Sequence, residues 1–197
     1  MRVVVATGNA GKLRELTALL AGLDYQLLAQ SDLGVASIEE TGHTFTDNAL
    51  LKARHAARCT GLAAIADDSG LEVDALGGAP GLYSARYASL TADDAANNAK
   101  LIGALTGVPE HARTARYRCV LAFVREAEDA APLLAEATWE GRIVDAPRGV
   151  GGFGYDPHFW LPELNRTAAE LDVAVKNRIS HRGQALRALR AALERLG

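Results

Sequence analysis

Apolar residues recur along this chain in two rhythms, alternation and three-to-four spacing, and the stretches that carry them alternate in a way that predicts an α/β protein. Val3 to Ala6 reads as a buried strand broken by Thr7, Gly8 and Asn9; Leu13, Leu16, Leu19, Leu20 and Leu23 then fall at helical spacing. Phe45, Ala49, Ala53 and Ala56 give a second helix a narrow apolar face, and Thr44 with Asp47 marks its start as a capping box. Leu62 to Ala66 is a short apolar run expected as a buried strand ending before Asp67, and LEVDAL alternates like another. Thr91 with Asp94 predicts a further capped helix, with its apolar positions between Ala95 and Leu105 and its close at Gly107 and Pro109. Ala115 to Phe123 and Leu134 to Val144 are β-prone runs across the acidic turn EAEDAA, expected as a long hairpin with Trp139 in the core. That hairpin is a candidate second lobe or dimer surface. Thr167 with Glu170 opens a short helix, and Ser180 caps an amphipathic last helix built on Leu186, Leu189, Leu193 and Leu196.

With 197 residues, half of them hydrophobic and under a quarter charged, the chain can bury a real core and is expected as one domain over 1–197 in two lobes. A formal charge of -3 argues against binding a nucleic acid polymer, which wants a basic face. Cys59 and Cys119 form no paired ligand motif, so free thiols and no zinc are expected. Arg2 leads straight into VVVA with no signal-peptide region, and no long apolar span occurs, so the expectation is a cytoplasmic protein with no membrane contact.

Five stretches carry candidate chemistry. The run IADDSGLEVDALGGAPG sets Asp67, Asp68 and Ser69 after a strand, where ligands of α/β sheets gather; an Asx-type turn satisfying loop amides explains the same residues. TGNAGK, Thr7 to Lys12, places backbone amides and a lysine at a helix N-terminus, which suits phosphate. It is no P-loop, since Ala6 and Leu13 stand where glycine and Ser or Thr would be needed, and a plain strand-to-helix turn with a solvated lysine fits it too. Glu39 and Glu40 precede the second helix, on which Asn48 and Lys52 share a face. Lys52 there can meet a bound anion or simply be solvated. The glycine-rich run PRGVGGFGYDPHFW holds Phe153, which can stack on a base or fill core, and Asp156, which can accept from base or sugar donors. Lastly, Lys176, His181 and Arg182 gather around Ser180, where cations oppose the helix dipole unless an anion answers them.

In order and spacing, TGNAGKLRE, EETGHTFTDNALLKA, ADDSGLEVDALGGAPGLYSARYA, PRGVGGFGYDPHF and KNRISHR resemble the inosine triphosphate pyrophosphatase family, the XTP/dITP diphosphatases. The likeness runs from Arg2 to the last helix; Ser89 departs from the usual ARYAG, and the loop before Lys176 lacks the customary acid. The resemblance implies an elongated, mixed, twisted sheet flanked by helices, two lobes with a central substrate cleft, and a homodimer. It implies hydrolysis of ITP, dITP or XTP to monophosphate and pyrophosphate, clearing these nucleotides from the pool with Mg²⁺ as cofactor. On that basis Asp68 accepts the proton of the attacking water, and Glu40 with Asp68 holds magnesium. Thr7, Gly8, Asn9, Ala10, Gly11, Lys12, Lys52 and Lys176 take the phosphates. Ser69 contacts substrate, while Phe153, Gly154, Tyr155, Asp156, His181 and Arg182 form the base pocket, Arg182 donating to the 6-oxo group. A pyrimidine-preferring nucleotide pyrophosphatase, a non-hydrolysing nucleotide sensor and a protein-interaction module are the competing readings.

Overall fold

A computed structural model describes residues 1–22 and 24–195, apart from the side chains of Ala10 and Leu19. The expected helix positions Leu19 and Leu23, and Leu196 of the last helix, therefore lie wholly or in their side chains outside the described residues. Seven strands run in the order β2-β1-β3-β4-β5-β6-β7: β1 Arg2–Ala6, β2 Gln26–Ala29, β3 Ala63–Val73, β4 Thr114–Val124, β5 Leu133–Ile143, β6 Phe159–Leu161 and β7 Arg166–Thr167. The helices are α1 Ala10–Leu20, α2 Phe45–Thr60, α3 Asp94–Ala104, α4 Val173–Ile179 and α5 His181–Glu194. β1 lies parallel to β2 and β3, whereas β5, β6 and β7 pair antiparallel, so the sheet is mixed, as expected. β4 and β5 are neighbours, as the expected hairpin requires.

The chain forms two compact units, one of Met1–Asp68, Cys119–Ala137 and Arg182–Gly197, the other of Ser69–Arg118 and Thr138–His181. In the first, strand alternation sorts the residues by face. Val3, Val5, Ala63 and Ile65 pack with Leu16 and Leu20 of α1 and with Leu186 and Leu189 of α5. Asp67 is the next residue of β3 on that face. Asp68, one residue on, points to the opposite face and meets α2. α2 begins at the predicted Thr44–Asp47 capping box, with both reciprocal bonds formed. Its buried Ala49, Ala53 and Ala56 allow the helix to lie close against the strands.

The second unit has its own core, in which Leu71, Leu101, Leu105, Trp139, Ile143 and Phe159 are packed together. Tyr117, Trp139 and Phe159 form its aromatic centre, with Tyr117 and Phe159 ring centroids 4.6 Å apart. A turn of 3₁₀ helix over Ala168–Glu170 opens at the expected Thr167–Glu170 box.

Three expectations are corrected here. β3 does not stop at Ala66: it runs unbroken through Asp67, Asp68, Ser69 and Gly70 to Val73, so DDSG lies mid-strand and LEV is the same strand's second half. The parallel register explains how it still resembles a strand end, because Ala6 pairs with Ala66 and the partner β1 ends there. The Asx-turn explanation fails with it. α3 is capped by Asp93, whose side chain accepts from the Ala96 amide, and not by Thr91. That frees Asp94 for another task.

Candidate active site

In the first unit, opposite charges converge on the two consecutive aspartates of β3. On the α2 side, Lys52 Nζ lies 2.7 Å from Asp68 Oδ1 and 2.7 Å from Glu40 Oε1. The (i, i+4) spacing that puts Asn48 and Lys52 on one helix face brings Asn48 Nδ2 to within 3.4 Å of Asp68 Oδ2. The other end of the same amide accepts from the Gly42 N–H at 2.8 Å, which pins the loop that carries Glu40. A β-carbon at Gly42 would stand 2.6 Å from that amide oxygen, so only glycine lets the loop pass so close to α2.

Burial raises the Asp68 carboxyl above its ordinary value, and the Lys52 ammonium only partly offsets this. Burial works against the charge of Lys52 as well, but Asp68, Asp67 and Glu40 together hold its pKa above the usual lysine value. Lys52 is thus a fixed cation beside a carboxylate with an enhanced appetite for a proton. The donor set also fits magnesium: Glu40 and Asp68 already present oxygens to one cationic point, and Mg²⁺ needs only one or two carboxylates when phosphate oxygens and waters complete its shell. Among the described residues no group of three or more His, Cys, Asp or Glu that could hold a metal gathers around one point.

Asp67, on the other face, is 1 % exposed. Lys12 Nζ stands 2.9 Å from its Oδ1 and Arg182 Nε 3.2 Å from its Oδ2, while Arg182 also binds Glu15 at 2.8 Å. Burial alone would raise this carboxyl, yet Lys12, Arg182 and Lys52 together hold it well below the carboxylate range. Arg182 in turn is raised despite its burial, chiefly by Asp67. Lys12 reaches Asp67 from the first turn of α1, where Asn9 is the N-cap and its side chain accepts from the Gly11 and Lys12 amides at 2.8 and 3.0 Å. Thr7 Oγ1 accepts from the Asn9 amide, closing the turn that follows β1. Two of the amides expected to face phosphate are therefore satisfied by Asn9 in the free protein.

The second unit builds a different cluster. Asp156, 2 % exposed, accepts from the Phe153 amide at 2.9 Å and from the Tyr117 hydroxyl at 3.3 Å, and it is ion-paired with Lys176. The Lys176 ammonium sits 4.7 Å from the centre of the Phe153 ring, a cation–π contact. Gly152 has φ +74, and a β-carbon there would run into the Asp156 carboxylate. His181 lies flat on Tyr117, with centroids 4.7 Å apart and ring planes 10° from parallel. Two residues of α3 hold the glycine loop: Asp94 accepts from the Gly154 amide at 2.6 Å and Asn98 donates to the Gly154 carbonyl at 2.8 Å. Buried Tyr155 donates its hydroxyl to the Ser84 carbonyl, and half-buried Ser69 stands in β3.

The sequence-predicted residues thus fall into two groups. Thr7 to Lys12, Glu40, Lys52, Asp68 and Arg182 belong to the first unit, and Ser69, Phe153 to Asp156, Lys176 and His181 to the second. Lys176 lies in the last turn of α4, where the dipole favours a cation, and its partners are Asp156 and Phe153. In the first unit, Arg182 stands with Asp67 and Glu15. The anion that answers the cation at the start of α5 is therefore supplied by the protein. Asn48, Glu15, Tyr117, Asp94 and Asn98 were not singled out as site residues. Only Asn48 carried a usable signal, its (i, i+4) partnership with Lys52.

The Ham1 family model matches residues 3–192. A dITP/XTP pyrophosphatase of Thioalkalivibrio sulfidiphilus is 60% identical over 196 residues, covering 100% of this chain and 98% of that protein. One of Shigella flexneri is 58% identical over 192 residues, with 98% of each chain covered. Among solved structures, a HAM1 protein from Coxiella burnetii superposes with a TM-score of 0.93 at 48% identity over 99% of both chains. A structure from Mycobacterium abscessus titled as a nucleoside-triphosphatase, dITP/XTP pyrophosphatase, gives 0.77 at 44% identity over 96% of this chain and 98% of that one. Matched by the family model over residues 3–192 and by relatives this similar over its whole length, the chain belongs to the Ham1 family.

Proposed function

We propose that this protein hydrolyses non-standard purine nucleoside triphosphates, dITP, ITP and XTP, to the monophosphate and pyrophosphate, and so removes them from the nucleotide pool. The observation that carries the reading is the Glu40–Lys52–Asp68 cluster: one cation and two acids drawn together from a loop, a helix and a strand. Asp68, with its raised pKa, takes the proton of the attacking water. Lys12 and Lys52, with the turn Thr7 to Gly11, neutralise charge on the triphosphate. Glu40 and Asp68 would hold magnesium, which when bound would supply further charge neutralisation to the phosphate oxygens. The base goes to the second unit, with Ser69 a further substrate contact. Phe153 stacks on it, and Lys176 is the donor beside that ring. A 6-oxo group accepts from such a donor, whereas the amino group of adenine cannot. Asp156, already accepting from three donors, positions Lys176 and the Phe153 backbone, with Gly154, Tyr155 and His181 forming the surrounding wall. Arg182, donating to the 6-oxo group, completes the base pocket. A cytoplasmic location and a homodimer accompany this reading; among the described residues no helix is long and apolar enough to cross a membrane.

Pyrophosphate release from ITP, dITP, XTP, ATP, GTP and dUTP, measured with and without Mg²⁺, tests it. Preference for the first three, dependent on Mg²⁺, is expected. Preference for dUTP would instead establish the pyrimidine reading, and binding without release would establish the sensor.

A further inference from the structure

Asp67 has the geometry of a device and no role in the chemistry just described. It sits on the face of β3 opposite Asp68, it is buried, and its two oxygens are divided between cations from two different helices: Lys12 from the first turn of α1 and Arg182 from the first turn of α5. Both cations stand where the helix dipole disfavours positive charge, so each needs a fixed anion nearby. Arg182 has a second acid in Glu15. For Lys12 the ion pair among the described residues is with Asp67, and its side chain keeps 18% exposure.

We infer that Asp67 is the positioning residue for Lys12: a permanent counter-charge that holds the ammonium at the α1 N-terminus in its working place before any nucleotide arrives. Asp67 does not itself touch substrate or metal. The inference rests on the proposed triphosphate hydrolysis and adds to it the reason why two acids stand side by side in β3. Without the carboxylate, a flexible four-carbon lysine at an unfavourable dipole end swings to water, and its reorganisation is charged to every binding event.

The test is a double-mutant cycle on the full-length protein with ITP and Mg²⁺, using Asp67→Asn, Lys12→Met and the pair. Asp67→Asn is expected to lower kcat/KM about 10- to 100-fold, mainly through KM, the size of a lost electrostatic positioning contact. In the Lys12→Met background the same substitution should change kcat/KM by less than about threefold, because the group it positions is gone. Asp67→Glu, which keeps the charge but displaces it by a methylene, should recover part of the loss only when Lys12 is present. A full multiplicative loss in the Lys12→Met background overturns the inference, since Asp67 would then act independently of Lys12. Failure of both Asp67 variants to fold also overturns it, since Asp67 would then be a residue of the fold. If wild-type protein releases no pyrophosphate from ITP, the functional proposal itself falls. If it does so and Lys12→Met is impaired, that proposal stands whatever Asp67 does.

Discussion

Consecutive aspartates on opposite faces of one strand should respond to the same substitution in opposite ways. Asp67 has its carboxyl depressed and Asp68 has it raised. A depressed carboxyl contributes stability that is present above the ordinary carboxylate value and disappears as pH falls from there through the depressed one. A raised one costs the fold stability as pH rises from the ordinary value through the raised one, so its ionised form is a burden. For Asp67, the Lys12 contact at 2.9 Å has a gross attraction of about 6 kcal/mol at an effective dielectric constant of about 20. Desolvation cancels much of it, and breaking a buried pair typically costs ~3–5 kcal/mol. Lys12 can turn to water and Arg182 keeps Glu15, so Asp67→Asn should fall below that range, at about 2–3 kcal/mol. At ~2–4 °C per kcal/mol for a chain of this size, Tm should drop about 5–10 °C. Asp68→Asn removes a burdened charge and should leave Tm within about 2 °C of wild type, or raise it, while cutting kcat/KM for ITP by more than ~10³-fold. Thermal unfolding at pH 7 in a metal chelator and pyrophosphate release with Mg²⁺ supply the two readouts. The Tm gap between wild type and Asp67→Asn should also narrow as pH falls through the carboxylate range. Equal loss of Tm in both variants would refute the reasoning, as would wild-type turnover in Asp68→Asn.

Three further outcomes are expected. Glu40→Gln should shift the Mg²⁺ activation midpoint upward and be partly rescued by excess Mg²⁺; an unchanged midpoint in a magnesium titration would remove Glu40 from the metal. Lys176→Met should lower kcat/KM for ITP far more than for ATP and compress their ratio, whereas Phe153→Ala should weaken both by a similar factor, about 5- to 100-fold for a lost stack; an unmoved ITP to ATP ratio in Lys176→Met would return base reading to backbone groups near Gly154. Cys59 is exposed and Cys119 is buried with its thiol pushed up to about 12, so a thiol reagent at pH 8 should titrate one thiol in the native protein and the second only after unfolding.

What could be read from the chain and what could not divide along one physical line, the difference between local and long-range causes. The capping boxes Thr44–Asp47 and Thr167–Glu170, the alternation in the first half of β4 and the Asn48–Lys52 pair are local, and each stands in the structure as its spacing dictates. The continuation of β3 past Ala66 is not local. Two acids, a serine and a glycine are poor strand formers, and what surrounds them comes from far along the chain: β3 lies between β1 and β4, Asp67 is paired with Lys12 and Arg182, and Asp68 with Lys52. The sequence separation in those pairs runs from sixteen residues to over a hundred, which no spacing rule spans. The same holds for Asp94, whose freedom to bind Gly154 follows from Asp93 taking the cap beside it. The cations around Ser180 carried a valid signal of a different kind: a charge at the wrong end of a dipole demands an anion, and the sequence shows the demand but not the source. In this fold the source is Asp67, a carboxylate that burial alone would neutralise and that stays ionised because Lys12, Arg182 and Lys52 surround it. The strand that seemed to stop at two acids thus runs on through them, Asp67 meeting α1 and α5 on one face and Asp68 meeting α2 on the other.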